Sequence, residues 1–168
     1  MERIKTIDIS IKCNYVSYMK AANPLSDALH VMAHLVGQTM PMTSTQLATC
    51  LPTHPVVIRR LLSQMQQAGL VHSARGHGGG SLLARPPATI SLHDIYLAVG
   101  APSLVQGQVQ HEGIGCPIRQ LVDQALHEGA VQAQRLLEAR LRSTTLDTLG
   151  AEFARHLQHH HHGAHHAD

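Results

Sequence analysis

The stretch TSTQLATCLPTHPVVIRRLLSQMQQAGLVHSARGHGGGSLLAR, residues 43–85, decides the fold. Thr43 and Gln46 stand three apart, the spacing of a capping box, and predict a short helix running to about Cys50. Leu51-Pro52 stops that helix, because proline has no amide to donate and disfavours helical geometry in the residue before it. Thr53 is then the natural cap of a second helix, in which Ile58, Leu61, Leu62 and Met65 fall at i, i+3, i+4 and i+7 and form one apolar stripe. His54, Arg59, Arg60, Ser63, Gln64 and Gln67 occupy its other face. Ala68-Gly69 ends the helix with a left-handed glycine. Residues 70–73 and 81–84 read as two short strands, with the glycines between them as a hairpin tip. Short capped helix, turn, amphipathic helix with a basic face, strand, basic glycine-rich tip, strand: this is the order of a winged helix-turn-helix, whose second helix enters a DNA groove.

No single part of the pattern decides this. Arginines on the wet face of an amphipathic helix are usually just solvated, so Arg59 and Arg60 alone say nothing about a partner. A glycine-rich loop can cradle phosphate, but here no Gly-Lys-Ser/Thr follows and the glycines lead into a strand, which disfavours a nucleotide site.

Ile58-Arg-Arg-Leu-Leu, the run from Ala68 through the wing to Pro87, and Ile90-Ser-Leu-His-Asp-Ile95 together resemble the Rrf2 family of bacterial transcriptional regulators. That family includes an iron–sulfur-cluster regulator, a nitric-oxide-sensitive repressor and a cysteine-metabolism repressor. The likeness runs from about Leu25 to Phe153, and the wing is its most specific part. It implies that the second helix lies in the major groove and that Arg75 at the wing tip enters the minor groove. The DNA-binding set is then Thr43, Ser44, Thr45, Thr53, His54, Val56, Val57, Arg59, Arg60, Arg75, His77, Gly78 and Gly79. His77 stands where the family usually has proline, and Ser81 where an aromatic often follows the glycines.

A chain of 168 residues with 43% apolar content is enough for one core and an extended element. The fold class expected is mainly α with a small two-stranded β wing, a winged helix-turn-helix followed by a long C-terminal dimerisation helix. Formal charge is only +2, so affinity for double-stranded DNA must come from a local basic patch doubled in a homodimer. With Phe153, Tyr15, Tyr18 and Tyr96 as the only aromatics of their kind, stacking on single-stranded nucleic acid is disfavoured. No segment has the apolar length of a membrane span, and residues 1–8 lack a signal-peptide core, so no membrane partner and a cytoplasmic location are expected.

Five regions follow. Residues 1–23 are an N-terminal extension, either a loose arm or a product of a misassigned start, with a weak strand alternation at Ile7, Ile9 and Ile11. Residues 24–102 are the winged domain. Its first helix carries the stripe Leu25, Ala28, Leu29, Met32, Leu35 and Val36, and ends at Gly37. Its fourth helix is capped by Ser91 with Asp94, buries Leu92, Ile95, Tyr96 and Val99, and closes at Gly100. Residues 103–116 are a loop. Residues 117–157 are a helical dimerisation region, in which residues 117–142 would form a helix ~39 Å long that Gly129 kinks or splits. Thr144 with Asp147 would cap a final helix. Ile118, Leu121, Val122, Ala125, Leu137 and Leu141 are the expected dimer contacts; an intramolecular helical hairpin is the alternative cover. Residues 158–168 are a His-rich tail.

Cluster-binding relatives use three closely spaced cysteines in the loop after the fourth helix, whereas residues 103–117 hold Cys116 alone and Cys13 and Cys50 are distant. No cofactor and no iron–sulfur cluster are therefore expected. Gly115-Cys-Pro-Ile118 is similar to the single-cysteine branch without a cluster. Pro117 suits a first helical position, which places Cys116 at or beside the helix N-terminus, where a thiolate is favoured. Two readings of Cys116 stand: a sensor of oxidants, or a cap or small buried hydrophobe. Cys50 is most simply a core residue. His159–His162 with His165 and His166 make a metal-chelating composition, read as a tail or tag with no assigned metal site. No catalytic constellation stands out. The functional classes are a homodimeric repressor on a palindromic operator, a winged-helix module that binds protein instead of DNA, and a metal-responsive regulator using the tail.

Overall fold

Asn23 opens the first helix by accepting at Oδ1 from the N–H groups of Leu25 (3.1 Å) and Ser26 (3.3 Å), with Pro24 at the first helical position. The computed structural model describes residues 23–152 except Cys50, Pro52, Arg75, His77, Gly78 and 106–116. Helix α1 (Pro24–Leu35) ends before Gly37, whose φ of +76° lies in the left-handed region. Helix α2 (Ser44–Ala48) starts with the expected capping box: Thr43 N–H donates to Gln46 Oε1 (2.8 Å) and Gln46 N–H donates to Thr43 Oγ1 (3.2 Å).

Helix α3 (Pro55–Gln67) is capped by His54, one residue past the expected Thr53. Pro55 takes the first helical position, which leaves His54 as the flanking residue, and its Nδ1 accepts from Val56 N–H at 3.2 Å. At the other end Gly69 N–H bonds to Gln66 O (3.0 Å) and Leu70 N–H to Met65 O (2.9 Å), a complete Schellman closure around a glycine at φ +68°. Because Leu70 is used there, strand β1 (Val71–Ala74) starts one residue later than the sequence suggests. It pairs antiparallel with β2 (Gly80–Leu83), Val71 opposite Leu83 and Ala74 opposite Gly80.

Met42 adds a third, one-residue strand to this wing: its N–H donates to Ser81 O (3.0 Å) and its carbonyl accepts from Ser81 N–H (2.8 Å). The approach is so close that a Cβ on Gly80 would lie 2.8 Å from the Met42 carbonyl. Ser81, where relatives often carry an aromatic, is buried on this ribbon and its Oγ is 2.9 Å from Ser73 Oγ across the strands.

Helix α4 (Leu92–Ala98) has the predicted box, Ser91 N–H to Asp94 Oδ2 (2.9 Å) and Asp94 N–H to Ser91 Oγ (3.1 Å). Helix α5 (Pro117–Ser143) runs unbroken for 27 residues, so Gly129 does not split it. The core gathers Met32 and Leu35 from α1, Leu47 from α2, Ile58, Leu61 and Met65 from α3, and Ile95 and Tyr96 from α4.

Leu146 is wholly buried in that same core. The chain after α5 returns to the start of α4, where Leu146 N–H donates to Ile90 O and Leu92 N–H to Thr144 O, both at 2.9 Å. This end of the 117–157 region expected to dimerise packs on the winged domain. Residues 146–152 are helical, and their cap is Thr145, whose Oγ1 accepts from Thr148 N–H (3.3 Å), because Thr144 is held by its own bond to Arg140 O. Residues 153–157, with Phe153 and Leu157, lie outside the described residues. Among the described residues, no helix is long and apolar enough to cross a membrane.

Candidate nucleic-acid interface

Helix α3 divides cleanly. Ile58, Leu61, Leu62 and Met65 are buried, while Val56, Arg59, Arg60, Ser63 and Gln67 are exposed along the opposite stripe. Arg59 Nε reaches back 3.4 Å to Pro55 O, which brings its guanidinium toward the first turn. Neither α2 nor α3 carries a carboxylate, and residues 24–102 hold four arginines against only Asp27 and Asp94. Asp94 caps α4 and lies 3.8 Å from Arg85. The α3 stripe is therefore a cationic surface with no internal counter-charge, the type of surface that meets phosphate.

Thr43 and Thr45 are exposed and Ser44 half-buried at the start of α2, beside α3 in the helix-turn-helix; Thr53 is half-buried and His54 exposed at the turn. Val57 is half-buried and packs against the core, about 100° around α3 from the outward Val56. Arg75, His77 and Gly78 lie outside the described residues. Of the wing tip, Gly79 N–H donates to Gly76 O at 2.9 Å, and Gly76 has φ +103°. The structure thus brings the α2 start, the α3 stripe and the wing strands onto one domain.

The second surface is on α5. Six large apolar side chains, Ile118, Leu121, Val122, Leu126, Leu136 and Leu137, are 43–74% exposed. Ala125 is exposed among them. Leu141 is the exception among the expected dimer contacts, because it packs on the winged domain's own core. On the helix face turned to the domain, Gln134 accepts at Oε1 from Leu104 N–H (3.0 Å) and donates from Nε2 to Tyr96 Oη (2.8 Å) and Glu138 Oε1 (2.8 Å). Nothing in the local sequence marks Gln134, since both main partners lie far along the chain.

Cys13, Cys50, Cys116 and the tail histidines lie outside the described residues. Among the described residues no group of three His, Cys, Asp or Glu side chains is placed to hold a metal ion. One titratable pair stands apart from the basic face: His30 and His34 on α1, with Nε2 atoms 3.0 Å apart.

Residues 22–152 match the Rrf2 family, described as iron-dependent transcriptional regulators. Over 122 residues the chain is 31% identical to YwnA of Bacillus subtilis, named among the HTH-type transcriptional regulators, covering 73% of this chain and 90% of that protein. It resembles the structure of a transcriptional regulator from Lactobacillus plantarum, with TM-score 0.63 and 26% identity over 83% of this chain and 97% of that one. It also resembles CymR, the global cysteine regulator of B. subtilis, with TM-score 0.56 and 25% identity over 80% of this chain and 98% of that one. The chain's three cysteines stand at positions 13, 50 and 116.

Proposed function

The chain belongs to the Rrf2 family and is a DNA-binding transcriptional regulator, and from that premise we propose that it acts as a homodimeric repressor on a palindromic operator. The observation that carries the dimer is the exposed apolar stripe of α5. Ile118, Leu121, Val122, Ala125, Gly129, Ala133 and Leu136 fall on one side of the helix over ~27 Å, away from Gln134 and Leu141, which hold the helix to its own domain. Burying one leucine or isoleucine is worth about 1.5–3 kcal/mol, so water is a costly neighbour for such a stripe and a second α5 is a fitting one. Gly129 and the alanines at its middle would let two such helices cross closely.

A two-fold axis presents two α3 stripes, which suits half-sites separated by one or more turns of DNA. In each half-site Arg59 and Arg60 would meet the major groove with Thr45 and His54 beside them, and Arg75 would extend the contact at the wing. Cys116 adjoins Pro117, the first residue of α5. A thiol at that helix start is favoured as thiolate, and within this proposal it tunes DNA binding to oxidants. The site of action is the cytoplasm, where chromosomal DNA lies.

The test combines sedimentation with gel retardation on the protein's own upstream DNA. Leu121→Glu with Leu126→Glu should convert a dimer to a monomer and weaken retardation at least tenfold, and Cys116→Ser should retain binding but lose its response to peroxide. A monomeric wild-type protein would sink the dimer, and a dimer that retards no DNA would point to a protein-binding module.

A further inference from the structure

Val56 is out of place by the usual logic of a wet helix face. It heads the exposed stripe that continues through Arg59, Arg60, Ser63 and Gln67, and it is 55% exposed where its neighbour Val57 packs inward. A β-branched residue is a modest helix former, and an apolar side chain in water contributes nothing to stability there. Its position is firmly set, since Pro55 fixes the first turn and His54 Nδ1 holds the Val56 amide. In a helix, valine has one strongly preferred rotamer, so the two methyl groups project rigidly from the end of α3 that leads into a groove. Arg59, directed back toward the same turn, flanks them with positive charge.

The major-groove edge of duplex DNA offers one apolar group, the C5-methyl of thymine. We propose that Val56 is a specificity residue that packs on the C5-methyl of one thymine in each half-site, with Arg59 and Arg60 anchoring the neighbouring groups. The inference rests on the DNA-reading role of α3 given above and goes beyond it by naming the base feature read. Shape supports it: the contact needs a small, rigid apolar knob at the first turn, flanked by cations and free of carboxylates, and α3 presents that arrangement.

Selection of full-length protein on randomised duplexes would first yield the preferred site. Each thymine of that site is then replaced by uracil, which removes only the methyl and leaves pairing intact. Wild type should bind roughly fourfold more weakly when one particular thymine is replaced in a single half-site and about fifteenfold more weakly when it is replaced in both, the value of one methyl-sized apolar contact per half-site. Val56→Ala should bind the thymine and uracil sites equally, and Val56→Thr, which keeps one methyl, should retain a reduced preference. Unchanged melting of both variants establishes that the fold is intact. A uracil penalty that persists in Val56→Ala, or specific binding with no thymine that responds, overturns the inference; absence of any selected duplex overturns the DNA-reading proposal itself.

Discussion

A hydrogen bond between two imidazoles requires that one ring present a lone pair, and His30 and His34 meet that requirement only while they are not both protonated. Their Nε2 atoms are 3.0 Å apart one helical turn from each other, with ring planes inclined by 27°. Burial holds both rings below the usual imidazole range; Asp27 partly offsets this for His30, and the neighbouring His30 charge adds to it for His34. The unfolded chain, with ordinary histidines near pH 6.5, therefore binds more protons than the native state as pH falls, so stability is complete above that value and is lost below it. Asp27, whose carboxyl pKa burial raises, carries the opposite sign. The protein should melt at a lower temperature at pH 5.5 than at pH 7.5, and His30→Gln with His34→Gln should narrow that difference. An equal drop in the double variant would show that other groups carry the pH response.

Between elements, α5 is tied to the winged domain by few polar groups, and Gln134 is the most connected of them. Its amide joins α4 through Tyr96, the segment after α4 through Leu104, and α5 itself through Glu138. Gln134→Leu removes the partner of the Leu104 N–H and of the Tyr96 hydroxyl at a half-buried seam, for an expected loss of ~1 kcal/mol. Chemical denaturation should read that loss and hydrogen exchange should find the Leu104 amide less protected, with the sedimentation of the protein unchanged; full protection of that amide in the variant would show that the seam is held by packing alone. The same contrast explains what could be read from sequence. Capping boxes at Thr43–Gln46 and Ser91–Asp94 and the glycine closure at Gly69 are local chemistry, with donor and acceptor a few residues apart, and each stands where the sequence puts it. The Met42–Ser81 bridge and the Leu146–Ile90 return use backbone groups that every residue owns, so no side chain announces them. Helix starts moved by one residue, from Thr53 to His54 and from Thr144 to Thr145, where adjacent candidates competed and a proline or a bond back to the preceding turn chose. For the basic face, Arg59 and Arg60 were legible from the apolar period opposite them. Val56 and Val57 were not separable by residue type, only by their angle around α3.

At the scale of the whole molecule, a formal charge of only +2 makes the number of copies on DNA measurable. In the proposed dimer, affinity is concentrated in the carboxylate-free α3 surface and repeated by symmetry, because the chain has no general excess of positive charge. Each phosphate neutralised by a cationic side chain adds about 0.9 to the slope of log affinity against log salt. If Arg60 meets phosphate, Arg60→Ala removes one contact from a bound monomer but two from a bound dimer. The slope measured by retardation or fluorescence anisotropy between about 50 and 200 mM salt should accordingly fall by roughly two in the variant. A fall of about one would mean that a single chain occupies the site, and the dimer formed through α5 would then not be the species that reads DNA. An unchanged slope would remove Arg60 from the phosphate contacts and leave the electrostatic share to Arg59 and the wing.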